Sequence, residues 1–287
     1  MNHRMFNRAL LSFVILSFYL IPLSAQVKDN SIRVVSFNIR YDNPSDGENG
    51  WQFRKNRIAQ FIRFHRADIC GLQEALVTQI HDLDSLLPDF DWIGVGRDNG
   101  KEKGEFCPVF FKKDRFKVLT QKTLWLSDTP SEPGSVGWDA ALPRIVNWCI
   151  LRDLITGKEI VFVNTHFDHV GVKAREMSAK TIVKEASKYI KTYPLILTGD
   201  FNCTDTSLVH KIFKEGGLHD AFFVSKEPHY GPNSTWNGFK EIENNQRIDF
   251  IYVSNPVSVI KHAILTDRWD GRFLSDHLPV VSEIVIK

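Results

Sequence analysis

Ile32-Arg33-Val34-Val35-Ser36-Phe37-Asn38-Ile39 sets the first pattern of the chain, a β-branched apolar run that gives way to an Asn-Pro-Ser-Asp-Gly loop at 43–47. Such a run, bounded by turn residues, predicts a strand. From 51 to 65 the period changes: Ile58, Phe61, Ile62 and His65 recur at helical spacing, with arginines and lysines assigned to the outer face. The same reading places a short buried strand at 68–73 ending at Glu74, a helix at 77–87 stopped by Pro88, and strands at 91–96, 106–111 and 115–126. Residues 127–143, rich in Pro, Gly and Ser, form the one long irregular connection, the kind of loop that often carries function. A hairpin follows at 145–154 and 159–164 around Thr156-Gly157, then the longest helix at 173–190, with Met177, Ile182, Ala186 and Tyr189 on one face. Leu195-Ile196-Leu197-Thr198-Gly199-Asp200-Phe201-Asn202 reads as a buried strand that breaks at a glycine and presents two polar side chains around one aromatic. A helix at 207–214, a polar stretch at 227–245 and strands at 248–253, 257–263 and 278–286 complete the pattern.

No repeat, linker or low-complexity tract interrupts residues 26–287, so the pattern predicts one domain of two packed sheets with outer helices. The first 25 residues stand apart. Arg4 and Arg8 precede an almost unbroken apolar run from Ala9 to Leu23, and Ser24-Ala25 follow. That order is a secretory signal peptide with cleavage after Ala25, and the run is short for a retained membrane anchor. The expectation is therefore an exported protein, periplasmic or extracellular, with no transmembrane helix in the mature chain. Composition narrows the partners. The chain holds 36 basic and 34 acidic residues, and loss of Arg4 and Arg8 leaves a neutral mature protein. A protein held to nucleic acid by general attraction to its backbone usually carries a basic excess. Cys70, Cys107, Cys149 and Cys203 show no C-x-x-C spacing; buried apolar use and disulfide pairing both remain open. No stable protein partner is evident, and a monomer is expected.

Candidate chemistry lies at the ends of the apolar runs. Asp200 can take a proton or hold a metal, and Asn202 can orient a water or a phosphate oxygen without adding charge. Asn38 sits in an apolar run, where an amide is costly unless bonded or ligating. Glu74 follows a buried strand directly and reads equally as a helix-start acid. Asn164-Thr165-His166-Phe167-Asp168-His169 ends another strand and offers a set that could also ligate zinc. Arg247-Ile248-Asp249-Phe250 and Ser275-Asp276-His277-Leu278-Pro279 each place an acid at the start of a strand.

Taken together, Ser-Phe-Asn-Ile-Arg, Leu-Gln-Glu, Asn-Thr-His, Gly-Asp-Phe-Asn, Arg-Ile-Asp-Phe and Ser-Asp-His-Leu-Pro-Val, in this order from Ser36 to Val280, resemble the endonuclease/exonuclease/phosphatase superfamily. That superfamily includes pancreatic-type deoxyribonuclease, apurinic-site endonucleases, deadenylases, bacterial sphingomyelinases and inositol polyphosphate 5-phosphatases. The resemblance implies an α/β fold, a four-layer α/β/β/α sandwich with two packed mixed β-sheets and the site at one end of both. It implies a Mg²⁺-dependent phosphodiester hydrolase, with Mn²⁺ as a substitute, working by direct attack of water. Glu74 would be the principal metal ligand, with Asn38 and Asp276 beside it. Asp200 would act as the base, Asn202 would hold the water or a phosphate oxygen, and His277, paired with Asp249, would face the phosphate opposite His166. On the substrate side the resemblance places Arg144, Glu105 paired with His166, and Trp236 or Phe239 for stacking. The roles of Asp168 and His169 stay open, and the superfamily match argues against the zinc reading. Arg40 stands where apurinic-site endonucleases usually carry Asp, and Asn164-Thr165-His166 where they carry a Tyr-x-x-Asn motif, which argues against that branch. A nuclease or exonuclease-like phosphodiesterase is the first expectation. A lipid or sugar phosphodiesterase or phosphatase is the alternative, favoured by export and by the long aromatic-bearing loop around Trp125 and Trp138. A catalytically silent binding module is a remote third.

Overall fold

Alternation along the strands decides the layers. In the computed structural model, which describes residues 30–287, Val34 faces one apolar cluster while its neighbour Val35 faces another. The proposed signal segment at 1–25 lies outside the described residues. In chain order the elements are β1 (Ile32–Asn38), α1 (Trp51–Phe64), β2 (Ile69–Gln73), α2 (Val77–Leu86), β3 (Phe90–Ile93), β4 (Val109–Lys112), β5 (Phe116–Trp125), β6 (Ile145–Asp153), β7 (Glu159–His166), α3 (Val172–Ala186), β8 (Leu195–Asp200), α4 (Leu208–Glu215), β9 (His219–Asp220), α5 (Ala221–Val224), β10 (Asp249–Val253), β11 (Val257–Ile264), β12 (Arg268–Trp269), β13 (Arg272–Phe273) and β14 (Val280–Ile286).

Two six-stranded mixed sheets result, ordered β11-β14-β1-β2-β4-β3 and β5-β6-β7-β8-β10-β9. Ile32, Val34, Ile69 and Phe111 of the first meet Leu151, Phe162, Ile196 and Ile251 of the second in the core between them. Val35, Phe37 and Leu72 pack outward on Ile58, Ile62 and Ile80 of α1 and α2. Val161, Leu195 and Leu197 do the same on Ile182 of α3 and Phe213 of α4. This is the expected α/β sandwich, because period-two alternation gives each strand two apolar faces and each face needs a cover. Among the described residues no helix is long and apolar enough to cross a membrane. The four cysteines are unpaired, with Cys70, Cys107 and Cys149 buried and Cys203 half-buried.

Each sheet is built on one βαβ crossover, β1-α1-β2 and β7-α3-β8, and in each the two strands run parallel. Parallel strands end together, so the registers Asn38↔Gln73 and His166↔Asp200 bring four chain ends to one edge of the sandwich. At that edge the sheets are joined by buried amides. Asn164 of β7 donates from Nδ2 to the carbonyls of Leu72 (2.7 Å) and Pro108 (2.9 Å) in the other sheet. Its Oδ1 accepts from Gln73 Nε2 (2.7 Å) and Thr198 Oγ1 (3.0 Å). Gly71 leaves the room: a Cβ there would overlap Thr198 Oγ1 and lie 2.6 Å from Asn164 Oδ1.

Three expectations change. Arg54, assigned from the helical pattern to the outer face of α1, is buried at 2 % exposure. It donates to the carbonyls of Asn49 (2.6 Å), Ile39 (2.6 Å), Leu274 (3.2 Å) and Arg40 (3.2 Å), tying the loops after β1 and before β14 to the helix. Burial lowers its pKa to about 10, and the group is held by carbonyls rather than by a paired carboxylate. The longest helix stops at Ala186 and faces the sheet with Ala174, Ala179 and Ile182, while Met177 is half-buried, since small residues let the helix sit close. The polar stretch before β10 is preceded by the short β9 and α5, and β12 and β13 pair within the last connection; elements this short carry no readable period.

Two stability outcomes follow from the buried contacts. Gly71→Ala should lower unfolding free energy by about 1–3 kcal/mol, because the amides it would displace have no alternative partners; urea melts showing no loss would contradict the packing. Arg54→Met leaves carbonyls unmet, at roughly 1–3 kcal/mol for each one that water cannot reach, and should drop the melting temperature by several degrees.

Candidate active site

The joined edge holds a cleft of about 370 Å³ whose floor includes Glu74, His166, Asp200, Asp276 and His277. Asn38, fully buried at the end of β1, organises it. Its Nδ2 donates to Glu74 Oε1 (3.0 Å) and across the sandwich to Asp200 Oδ2 (2.9 Å), and its Oδ1 accepts from Arg40 N–H (3.0 Å). Tyr41 N–H donates to Glu74 Oε2 at 3.2 Å. Glu74 has φ +61, Arg40 +57 and Asn202 +50, so three residues leaving three strands adopt the left-handed backbone that non-glycine residues avoid. Each turn aims its side chain back into the cleft, strain of the sort that concentrates at functional sites.

Asp200 ends β8 buried, opposite Asp249, which opens the antiparallel β10. Its Oδ1 accepts from Asn202 N–H at 2.9 Å. Burial, reinforced by the charge of Asp249, raises the Asp200 carboxyl to about 7. His277 stands between these acids, with Nδ1 2.8 Å from Asp249 Oδ2 and Nε2 3.7 Å from Asp200 Oδ2. Burial alone would discharge this ring, but Asp249 and Asp200 outweigh it and hold its pKa well above 6.5. His166 behaves oppositely: burial, with the cations Arg144 and Arg97 nearby, keeps it neutral. Its Nε2 is 3.0 Å from Asn202 Nδ2 and 3.4 Å from Asp200 Oδ2.

Several expected residues occupy different places. Glu105 lies 3.8 Å from His166 Nδ1, too far for a hydrogen bond, because Arg97 takes its carboxylate at 2.6 Å. Arg97 directly follows the strand read at 91–96, and nothing in the sequence marks it as buried. Phe239 does not line the cleft; with φ +57 at Gly238 and +60 at Phe239, the chain turns the ring back over Arg54, 5.4 Å away. Trp236 does reach the cleft, edge-on to His277 at 4.8 Å. Trp125 is buried and donates from its indole to Arg97 O, and Trp138 is half-buried away from the cleft lining. The end of the long loop contributes Leu142 and Arg144 instead.

Asp168 is the buried organiser of Arg144: its carboxylate accepts from the amides of Leu142, Val170 and Gly171 and lies 3.4 Å from Arg144 Nε. His169 Nδ1 sits 3.0 Å from Arg144 Nη2. Arg144 Nη1 is buried with no hydrogen-bond partner. Asp168 is thereby committed to the loop, and the zinc set suggested by His166, Asp168 and His169 does not form. The ligand atoms that do converge are Glu74-His166-Asp200 and Asp200-Asp249-His277, each group within 4.8 Å. Asn38 holds Glu74 and Asp200 with its Nδ2, while its Oδ1 accepts one backbone N–H from Arg40. A hard divalent cation suits this oxygen-rich floor. Burial, with the charge of Glu74, pushes the Asp276 carboxyl upward even against His277 and Arg40.

Comparison with known proteins agrees with this geometry. The model of the endonuclease/exonuclease/phosphatase family matches residues 35–277. A family structure from Bacteroides vulgatus is 41 % identical with a TM-score of 0.86, covering 90 % of this chain and 99 % of that one. A mannosyl-6-phosphatase from Bacteroides thetaiotaomicron is 39 % identical with a TM-score of 0.85, covering 89 % of this chain and 100 % of that one. Among curated relatives, Nocturnin of Xenopus laevis is 24 % identical over 91 % of this chain and 74 % of its own length. The Debaryomyces hansenii Ccr4 exoribonuclease subunit is 22 % identical over 83 % of this chain but only 36 % of its own length. The chain belongs to the endonuclease/exonuclease/phosphatase family, a family of divalent-metal-dependent hydrolases of phosphoester bonds.

Proposed function

We propose that this protein is an exported hydrolase that removes phosphate from a small phosphorylated sugar by direct attack of water. The observation that carries the reading is the size and lining of the cleft: about 370 Å³, with Trp236, Arg144 and His169 among the residues that line it. That volume suits a phosphoryl group with about one sugar ring, and an edge-on indole beside two basic groups offers an apolar face and polar donors together. The mannosyl-6-phosphatase at 39 % identity supports the substrate class. The neutral mature chain supports it further, since nothing in the overall charge draws in a polyanion.

The roles follow from geometry. Mg²⁺, with Mn²⁺ as a substitute, would be held by Glu74 and Asp276 and would neutralise charge on the phosphate oxygens. Asn38 keeps Glu74 and Asp200 in fixed relation. Asp200 takes a proton from the attacking water, whose oxygen forms the new bond to phosphorus as the ester P–O bond breaks. Asn202, fixed against Phe167 O at 3.0 Å, aligns that water or a phosphate oxygen. The charged His277 ring, oriented by Asp249, donates toward the phosphate, and neutral His166 closes the opposite side. The free Nη1 of Arg144 is a donor already buried and aimed by Asp168, suited to a phosphate oxygen. An exoribonuclease-like activity is the second reading, favoured by the similarity to the Ccr4 subunits.

Turnover of mannose 6-phosphate, other hexose phosphates, bis(p-nitrophenyl) phosphate and a short oligoribonucleotide, each with Mg²⁺, tests the substrate class. Hexose phosphates should lead, with little dependence on salt. A faster oligoribonucleotide rate that falls steeply with salt would replace this reading with the second one. Asp200→Ala should lower kcat by about 10²–10⁴ with the melting curve close to that of the parent; a variant that keeps most of its rate would remove Asp200 as the base. Chelation should abolish turnover, and added Mg²⁺ should restore it.

A further inference from the structure

Arg40 is a cation placed beside the carboxylates that would hold a cation. Its backbone is fixed at both ends: N–H donates to Asn38 Oδ1 (3.0 Å), and its carbonyl accepts from Gln79 Nε2 (2.9 Å) and Arg54 Nη2 (3.2 Å). The residue pays for this position with a left-handed backbone, φ +57. Its guanidinium forms a fork on Asp46, Nε to Oδ2 at 3.1 Å and Nη2 to Oδ1 at 3.2 Å, and lies over the Tyr41 ring at 4.4 Å. From there Nε is 3.7 Å from Asp276 Oδ2, and the group lines the same cleft as Glu74. The side chains of Arg40, Asp46 and Asp276 are 22 %, 10 % and 6 % exposed, so water screens these charges only in part. Nothing in a general need for phosphate contacts explains why a guanidinium should be anchored by a dedicated carboxylate and directed at another acid.

We propose that Arg40 is a positioning residue that competes with the divalent ion for Asp276, lowering the affinity of the cleft for that ion so that it is held by Glu74 with partial help from Asp276. This rests on the assignment of Glu74 and Asp276 as the ion-holding residues. Asp46 keeps the guanidinium from closing onto Asp276 completely, which would bar the ion altogether. The two acids thus share one arginine, and the division between them sets how strongly the ion binds.

Binding of Mn²⁺ to the full chain, read by calorimetry or by the electron paramagnetic resonance signal of free Mn²⁺, tests this without any turnover. Arg40→Gln should tighten the Mn²⁺ Kd by roughly tenfold. Arg40→Gly, which fits the left-handed backbone without strain, should do the same if the glutamine variant folds poorly. Arg40→Lys should remain within about threefold of the parent because the charge stays. Asp46→Asn should move affinity the other way, as the released guanidinium settles on Asp276. General damage to the site would weaken binding in every variant, so tightening in the first two is the discriminating sign. Unchanged or weaker binding in both Arg40→Gln and Arg40→Gly overturns the proposal. Glu74→Gln separates this from failure of the underlying assignment: parent-like Mn²⁺ affinity in that variant means the ion is held elsewhere.

Discussion

The site depends on two face-packed sheets being held in a fixed relation at one end by buried amides. Asn164 bonds to backbone of the opposite sheet while accepting from Gln73 and Thr198, and Asn38 does the equivalent between Glu74 and Asp200. Apolar packing between sheets is non-directional and tolerates small slides. Hydrogen bonds between buried groups do not, because any slide leaves a donor or acceptor unpaired in a dry interior. The two amides therefore convert a sandwich that could shear into one with a fixed relation between the chain ends. Gly71 is the steric condition for this, since any side chain there would occupy the space of the Asn164 amide.

Electrostatics follows from that placement. Bringing Asp200 beside Asp249, and Asp276 within the field of Glu74, gathers more negative charge than a buried cleft can hold unaided. The protein offsets part of it internally with the charged His277 and with Arg40, and the remainder makes a place for a divalent cation. A phosphate ester, itself negative, would be repelled by the acids alone. The same crowding that costs stability thus suits the cleft to a divalent cation, in keeping with the metal dependence of the family.

Backbone strain has a distribution that fits this picture. Arg40, Glu74 and Asn202 each leave a central strand in the left-handed region. Arg54 supports the first of these turns by donating to the carbonyls of Ile39 and Arg40, and Gln79 donates to the same Arg40 carbonyl. Both supports come from helices on the outer face of the first sheet, so rigid elements remote from the cleft hold the Arg40 turn in place.

Much of this was legible along the chain. Short β-branched runs ending in Asn38, Glu74, His166 and Asp200, and one opening at Asp249, announced both the strands and the residues at the cleft, because alternation and turn chemistry are local properties. Their order carried the family. Partners were not legible. Arg54 has the spacing of a solvated residue yet is buried, Arg97 is buried without any pattern to mark it, Glu105 is taken by Arg97 instead of His166, Phe239 turns onto Arg54, and Asn164 serves the fold. Each outcome is a competition among groups distant in sequence for one bond or one volume. Local patterning along the chain was enough to put these polar residues at strand ends. What each of them faces came from packing between distant segments, since a buried hydrogen bond goes to whichever partner lies within about 3 Å.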